Sequence, residues 1–218
     1  LVSLTKFTQY LGILCDAAGA EIYTGFAAVE LLKDSGRVMG VRVGDKGIDR
    51  NGARKPNYEA GPHIESKAVV LGEGADGVLT ERLVGTGGLA GSNPQTYAVG
   101  IKEVVELPPD PKRAGTALHT FGYPLDSSTY GGGFLYGLND TQVAVGLVVA
   151  LDYRNPRLNP HDLFRAFKAH PRIQRAIAGG TVIGYGATML PEGGYYAVPR
   201  LVAAGDFGMG RAGFGRRP

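Results

Sequence analysis

The residues with the clearest capacity for chemistry lie between Thr129 and Leu138, TYGGGFLYGL, where three consecutive glycines stand among Tyr130, Phe134 and Tyr136. Glycine costs about 0.5–1 kcal/mol relative to alanine inside a regular element, so a triple run has a reason beyond local stability. One reason is close approach by a ligand. A planar apolar molecule with carbonyl oxygens would find aromatic walls for its faces and bare amide donors for its oxygens. The other is a glycine-rich β-bulge that re-aims a strand and lets Phe134 turn inward. The local pattern leaves both open.

A second stretch, GEGADGVLTER from Gly72 to Arg82, ends an apolar run in small residues and enters a helical pattern. Glycines before a helix N-terminus let backbone amides face an anion such as a pyrophosphate, and a simple tight connection uses the same residues. Asp76 suits a helix cap or a ribose hydroxyl, and Glu73 an adenosine or solvent. The four histidines, His63, His119, His161 and His170, do not repeat at metal-ligand spacing, and no Ser/His/Asp arrangement is legible. No general acid or base is assigned. The single cysteine, Cys15, rules out an internal disulfide or a four-cysteine cluster within these 218 residues, and reads as a small buried apolar helix residue.

These stretches need elements to hold them. Leu4, Phe7, Leu11, Leu14 and Ala18 share one face at helical spacing, with Gly19 as a stop. Residues 20–25, 27–32 and 38–43 read as short strands, the last two joined through a DSGR turn, and 44–61 as a surface loop or two-stranded excursion. A buried strand at 68–71 leads through the glycine turn into a helix at 78–84. Beyond a linker at 85–94, longer strands are expected at 97–105, 116–123, 133–138 and 142–151. A helix follows, capped by Asn159 with Pro160 at its first position and Leu163, Phe164 and Phe167 facing inward. Two further strands are expected within 179–189 and 193–206, the latter running into a loop-like GDFGMGRAGFGRRP. The longest apolar run, 143–151, is about half the ~20 residues a transmembrane helix needs. A net charge of +3 with scattered Lys and Arg gives no support to nucleic-acid binding.

Taken together, GAEIYTGFAAVELL, GEGADG, PQTYAVGIKEV, GYPLDSSTYGGGFLYGL, VAVGLVVALDYRNPRLNPHDLFRAFKAHPRI and IGYGATMLPEGGYYAVPRL resemble the electron transfer flavoprotein:ubiquinone oxidoreductase family. The resemblance implies an α+β, flavoprotein-like fold in which an FAD-binding domain is interwoven with a ubiquinone-binding domain built on a mainly antiparallel sheet with packed helices. It assigns 1–90 to part of the FAD domain, 95–190 to the ubiquinone domain and 191–218 to a return toward the FAD domain. It implies FAD and a 4Fe-4S cluster as cofactors, the cluster ligands lying outside these residues, with electrons passing from electron transfer flavoprotein to ubiquinone. It also implies monotopic attachment at an inner membrane surface. Gly131 and Gly132 match the glycine pair whose backbone meets the quinone head group, and Tyr130 precedes them. Glu73, Gly74, Ala75, Asp76, Gly77 and Gly213 match FAD-contacting positions.

The tail departs from the family pattern, with Arg211 where an acidic or small residue is expected. The resemblance places the family's N-terminal pyrophosphate-binding GxGxxG turn before residue 1 and its cluster cysteines after residue 218, so the chain reads as an internal fragment, inactive alone. A flavoprotein of the aromatic hydroxylase or geranylgeranyl reductase type is the rival reading, since GADGVLTER is also similar to the Asp-Gly turn of those proteins. A non-catalytic binding module is a further alternative.

Overall fold

The computed structural model describes residues 3–202 and 206–209, the last four by their backbone. The chain divides into two compact units: α1 (Leu4–Ala17) with the segment Thr96–Glu192, and Glu21–Gln95 with the residues from Gly193 onward. The expected division kept α1 with the residues up to 90. Ser3 caps α1 by accepting the Lys6 amide, and Gly19 ends it at φ +81°. None of its side chains is buried, so the stripe of Leu4, Phe7, Leu11 and Leu14 is exposed, and Cys15 is exposed rather than buried.

The first unit is built on one antiparallel sheet, in the order β11-β7-β10-β9-β8: β7 (Tyr97–Glu106), β8 (Ala117–Thr120), β9 (Gly131–Gly137), β10 (Gln142–Ala150) and β11 (Thr181–Pro191). Central β10 is apolar on both faces and buried along most of its length. Val143, Val145, Leu147 and Val149 point to the face carrying α3 (Pro160–Ala169) and α4 (Pro171–Ile177), where they pack with Ile101, Val105, Phe164, Phe167 and Ile173. Asn159 caps α3 through the His161 amide, with Pro160 at the start, as the sequence predicts. An ion pair beside this core joins Lys168 of α3 to both carboxylate oxygens of Glu103 on β7, at 2.8 and 2.7 Å.

The second unit holds a three-stranded antiparallel sheet in the order β1-β2-β5, from β1 (Ala28–Asp34), β2 (Arg37–Val43) and β5 (His63–Glu65). Ser35 and Gly36 join β1 to β2, both at positive φ, which suits the right-handed twist of a two-residue hairpin. The excursion is a hairpin of β3 (Lys46–Ile48) and β4 (Arg54–Glu59). A short strand, β6 (Val69–Leu71), leads through a 3-10 turn (Gly74–Asp76) to α2 (Val78–Gly87). Only Leu71 of β6 is buried, whereas Val70 is 69% exposed, so this strand is not the fully buried one expected. Leu71, Leu79, Leu83 and Leu89 form the unit's small core.

Three expected elements differ. Residues 20–25 form no strand, and 193–202 hold a 3-10 turn at Tyr195–Ala197 in place of one. The stretch expected as loop contains β12 (Asp206–Met209), parallel to β6. Parallel pairing joins segments about 137 residues apart and leaves no local periodicity to read.

Candidate functional site

The three glycines are the first residues of β9, which starts two residues before its expected bound, and the register of β9 on β10 runs without a shift from Gly131↔Val149 to Gly137↔Val143. This removes the β-bulge reading. β9 is aimed by a turn in which the Asp126 carboxylate accepts the Ser128 hydroxyl at 2.7 Å and the Ser128 amide at 2.9 Å. Those bonds, the hydroxyl first, hold the Asp126 carboxyl below the usual aspartate range. Before the turn, β8 ends at Thr120, four residues after its expected start at 116, as the chain swings through Gly122 at φ +77°.

Each glycine answers to a different neighbour. A Cβ on Gly133 would overlap the Phe167 ring and stand 2.7 Å from Thr120 Oγ1, so Gly133 is the socket on the helix-facing side into which Phe167 fits. On the opposite side a Cβ on Gly132 would overlap the Thr120 carbonyl oxygen, and Gly146 of β10 likewise makes room for the Phe134 ring directly across from it. Gly131 sits at φ +149°, and a Cβ there would overlap the Val148 carbonyl oxygen. Phe134 therefore does not turn into the core. It lies on the face away from α3, stacked on Tyr136 with ring centroids 4.8 Å apart.

On that face lies an open groove of about 330 Å³, lined by His119, Thr120, Phe121, Tyr130, Gly131, Gly132, Gly133, Phe134, Tyr136, Val148 and Glu192. Of the β10 residues, Val148 lines the groove and most of the rest are buried. Two aromatics stand at its rim, Phe121 at 86% and Tyr130 at 69% exposure. The Ala150 amide donates to the Tyr130 carbonyl, which makes 130/150 and then 132/148 the hydrogen-bonded pairs of the ladder. Gly132 thus directs its amide at β10. Gly131 directs its amide at the β8 edge, two positions past Thr120, where β8 has ended. Of the two glycines assigned to a ligand oxygen, Gly131 has its donor on the open side.

His119 is the groove residue the sequence reading passed over. It pairs across the sheet with Phe134, and its Nε2 lies 3.0 Å from the Tyr136 hydroxyl, with the rings 5.3 Å apart. Spacing along the chain could not reveal it, because 17 residues separate the two partners.

The GEGADG turn lies in the second unit. The N-cap of α2 is Gly77 and not Asp76, and the helix N-terminus is closed by Glu73, whose carboxylate accepts the Leu79 and Thr80 amides at 3.2 and 2.7 Å and the Thr80 hydroxyl at 2.7 Å. A negative charge at this position also opposes the helix dipole favourably. These amides are taken internally, so the turn does not fit a pyrophosphate at the helix end. Gly74, at φ +73° with open space around its missing Cβ, is the bare point of backbone. Gly213 lies outside the described residues. Among the described residues no group of His, Cys, Asp and Glu could hold a metal, and no helix is long and apolar enough to cross a membrane.

Residues 97–190, which contain the whole sheet but for its last residue, match the family described as ETF-QO, ubiquinone-binding. The mitochondrial electron transfer flavoprotein-ubiquinone oxidoreductase of Arabidopsis thaliana is 44% identical over 219 residues, covering 98% of this chain and 35% of that protein. Its Homo sapiens counterpart is 41% identical over 214 residues, covering 96% of this chain and 35% of that protein. The chain thus spans about a third of the length of these relatives. Among solved structures, a geranylgeranyl bacteriochlorophyll reductase-like protein of Thermoplasma acidophilum aligns with a TM-score of 0.66 at 16% identity, over 93% of this chain and 45% of that one. A triple mutant of a flavin-dependent brominase aligns with a TM-score of 0.62 at 15% identity, over 93% and 47%. These two share a fold with the chain, and at such identity they carry the fold alone. Sequence identity above 40% across nearly all of the chain separates the rival readings, and over the stretch it spans the chain belongs to the electron transfer flavoprotein-ubiquinone oxidoreductase family.

Proposed function

We propose that the chain supplies the quinone-binding part, and some of the FAD border, of an electron-transferring-flavoprotein dehydrogenase. That enzyme takes electrons from reduced electron transfer flavoprotein and, through FAD and a 4Fe-4S cluster, delivers them to ubiquinone at an inner membrane surface. The observation that carries this reading is the glycine-floored, aromatic-walled groove inside the segment matching the ubiquinone-binding family. In it, Tyr130 and Phe121 flank the entrance, Phe134 offers a ring face to the quinone, and the Gly131 amide donates to one carbonyl oxygen. A fixed amide dipole stabilises charge that grows on that oxygen during reduction without itself titrating. Gly132 contributes by absence, since any Cβ there would overlap the Thr120 carbonyl oxygen beside the groove.

Residues 95–190 form the quinone domain in this proposal, and 1–90 with 191–218 border the FAD. Glu73, Gly74, Ala75, Asp76 and Gly77 would meet FAD through open backbone at Gly74, with Glu73 retained as the internal cap of α2. Gly213 is kept as a proposed contact. FAD, when bound, supplies the electron pair. The chain's own residues orient the quinone and exclude water from one face of it. The relatives carry mitochondrial names, and attachment is proposed as monotopic, with the exposed rim aromatics suited to a headgroup interface.

The test uses a full-length chimaera in which this chain replaces the matching third of the Arabidopsis relative. Photolysis with an azido-ubiquinone is expected to label the peptide from Ala117 to Tyr136, with labelling abolished by excess ubiquinone. Competable labelling confined to other peptides would refute the groove as the quinone site.

A further inference from the structure

We infer that Tyr136 and His119 form a proton relay that serves one carbonyl oxygen of the quinone, an inference that rests on the proposed quinone groove. Reduction of a quinone to a quinol takes up two electrons and two protons, one at each oxygen. The Gly131 amide stabilises charge but has no proton to surrender. The protons come from elsewhere, and the titratable groups lining the groove are His119, Tyr130, Tyr136 and Glu192.

Only two of these are described as joined to each other. His119 Nε2 and the Tyr136 hydroxyl are 3.0 Å apart, within hydrogen-bond reach. Position favours them as well. His119 is directly across from Phe134, and Gly132 is two residues before Phe134, so His119 is a diagonal neighbour of Gly132 at about 7–8 Å between backbones. Tyr136 is the residue two beyond Phe134 on the same face, stacked on its ring. A dione lying on Phe134 with one oxygen at the Gly131 end would present its other oxygen to the Tyr136 and His119 end. Tyr130 stands at the rim, 69% exposed, and Glu192 is also exposed, as an acceptor-only carboxylate when ionised.

The transfer balances as follows. Two electrons arrive from the flavin donor named in the proposed function. The O–H bond of Tyr136 breaks as a new O–H bond forms on the quinone oxygen, and the Nε2 proton of a charged His119 moves to Tyr136 Oη. Tyrosine ends as it began and histidine ends neutral. His119 is exposed, so solvent restores its proton through Nδ1. The second proton reaches the other oxygen from water. Histidine is the side chain suited to this recharging, because its charge changes near neutral pH.

The experiment compares Tyr136→Phe and His119→Gln with the parent chimaera, measuring equilibrium binding of decylubiquinone, the rate of its reduction, and the pH profile of that rate. Tyr136→Phe keeps the ring stack and flavin content reports folding. Both variants are expected to bind decylubiquinone within about twofold of the parent. Tyr136→Phe should slow its reduction roughly a hundredfold, the usual worth of a positioned proton donor. His119→Gln should slow it and remove the limb of the pH profile that the parent shows. Parental rates and pH profile in both variants, with binding intact, would overturn the relay. Loss of rate matched by loss of binding would overturn it too, since the pair would then only hold the quinone. Failure of the parent itself to bind decylubiquinone or be labelled in the groove would instead overturn the quinone reading beneath it.

Discussion

Gly133→Ala is expected to destabilise the first unit, and Phe167→Leu to remove most of that penalty. The new Cβ would overlap Cζ and Cε2 of Phe167, a side chain only 2% exposed and fixed within the helix-facing core, and would meet Thr120 Oγ1 at 2.7 Å. Carbon atoms in contact sit at about 3.5–4.0 Å, so either the ring or the strand must shift. Overpacking of this kind costs about 1–3 kcal/mol, against a gain of about 0.5–1 kcal/mol from replacing glycine in a strand. The net expected loss is about 1–2 kcal/mol. Leucine at 167 lacks the ring atoms that collide. Alone it costs about 1–2 kcal/mol, and in its presence alanine at 133 should be nearly free. The coupling then exceeds the ~0.3–0.5 kcal/mol scatter of independent sites. The chain has no tryptophan, so urea unfolding would be followed by circular dichroism, where a loss of 2 kcal/mol moves the midpoint by about 1 M. A neutral or stabilising Gly133→Ala, or additive single changes, would refute the socket.

Two further outcomes follow from charged groups. Glu103→Gln leaves Lys168 without its partner at a site where the two side chains are 13% and 25% exposed, and should cost about 1–2 kcal/mol in urea unfolding, whereas the double change Glu103→Leu with Lys168→Met should cost less; equal losses would contradict this. Asp45 ties the β3–β4 hairpin to β2. The Gly61 amide at 2.9 Å, then the Tyr58 hydroxyl and Arg42, hold its carboxyl below the ordinary aspartate range against the opposing effect of desolvation. A depressed folded-state pKa means stabilisation that is present above the unfolded value, about 3.9, and fades as pH falls through the lower folded value. Asp45→Asn should therefore reduce the difference in stability between pH 6 and pH 3, and an unchanged acid limb would count against the assignment.

Elements with a local cause were legible in advance. Asn159 and Pro160 start α3, Ser35 and Gly36 turn the first hairpin, and the β-prone run expected at 97–105 forms β7. A short strand such as β12 was not, because its partner β6 lies far away along the chain and no period within four residues identifies it. Nor was the failure of 20–25 to pair, since a β-prone run becomes a strand only where a partner edge is available.

For the groove, the sequence by itself determined that three glycines stood beside aromatic rings, and left close approach and a bulge both open. Only the tertiary structure decided what approaches each glycine. Phe167 enters at Gly133 from the helix side, the Thr120 carbonyl crosses Gly132, and the open donor is left to Gly131. It also set His119 against Tyr136. The physical reason is register: successive residues of a strand face opposite sides, and a slip of one residue would exchange the core face for the groove face. That register comes from pairing with β8 and β10, which no local pattern within TYGGGFLYGL contains.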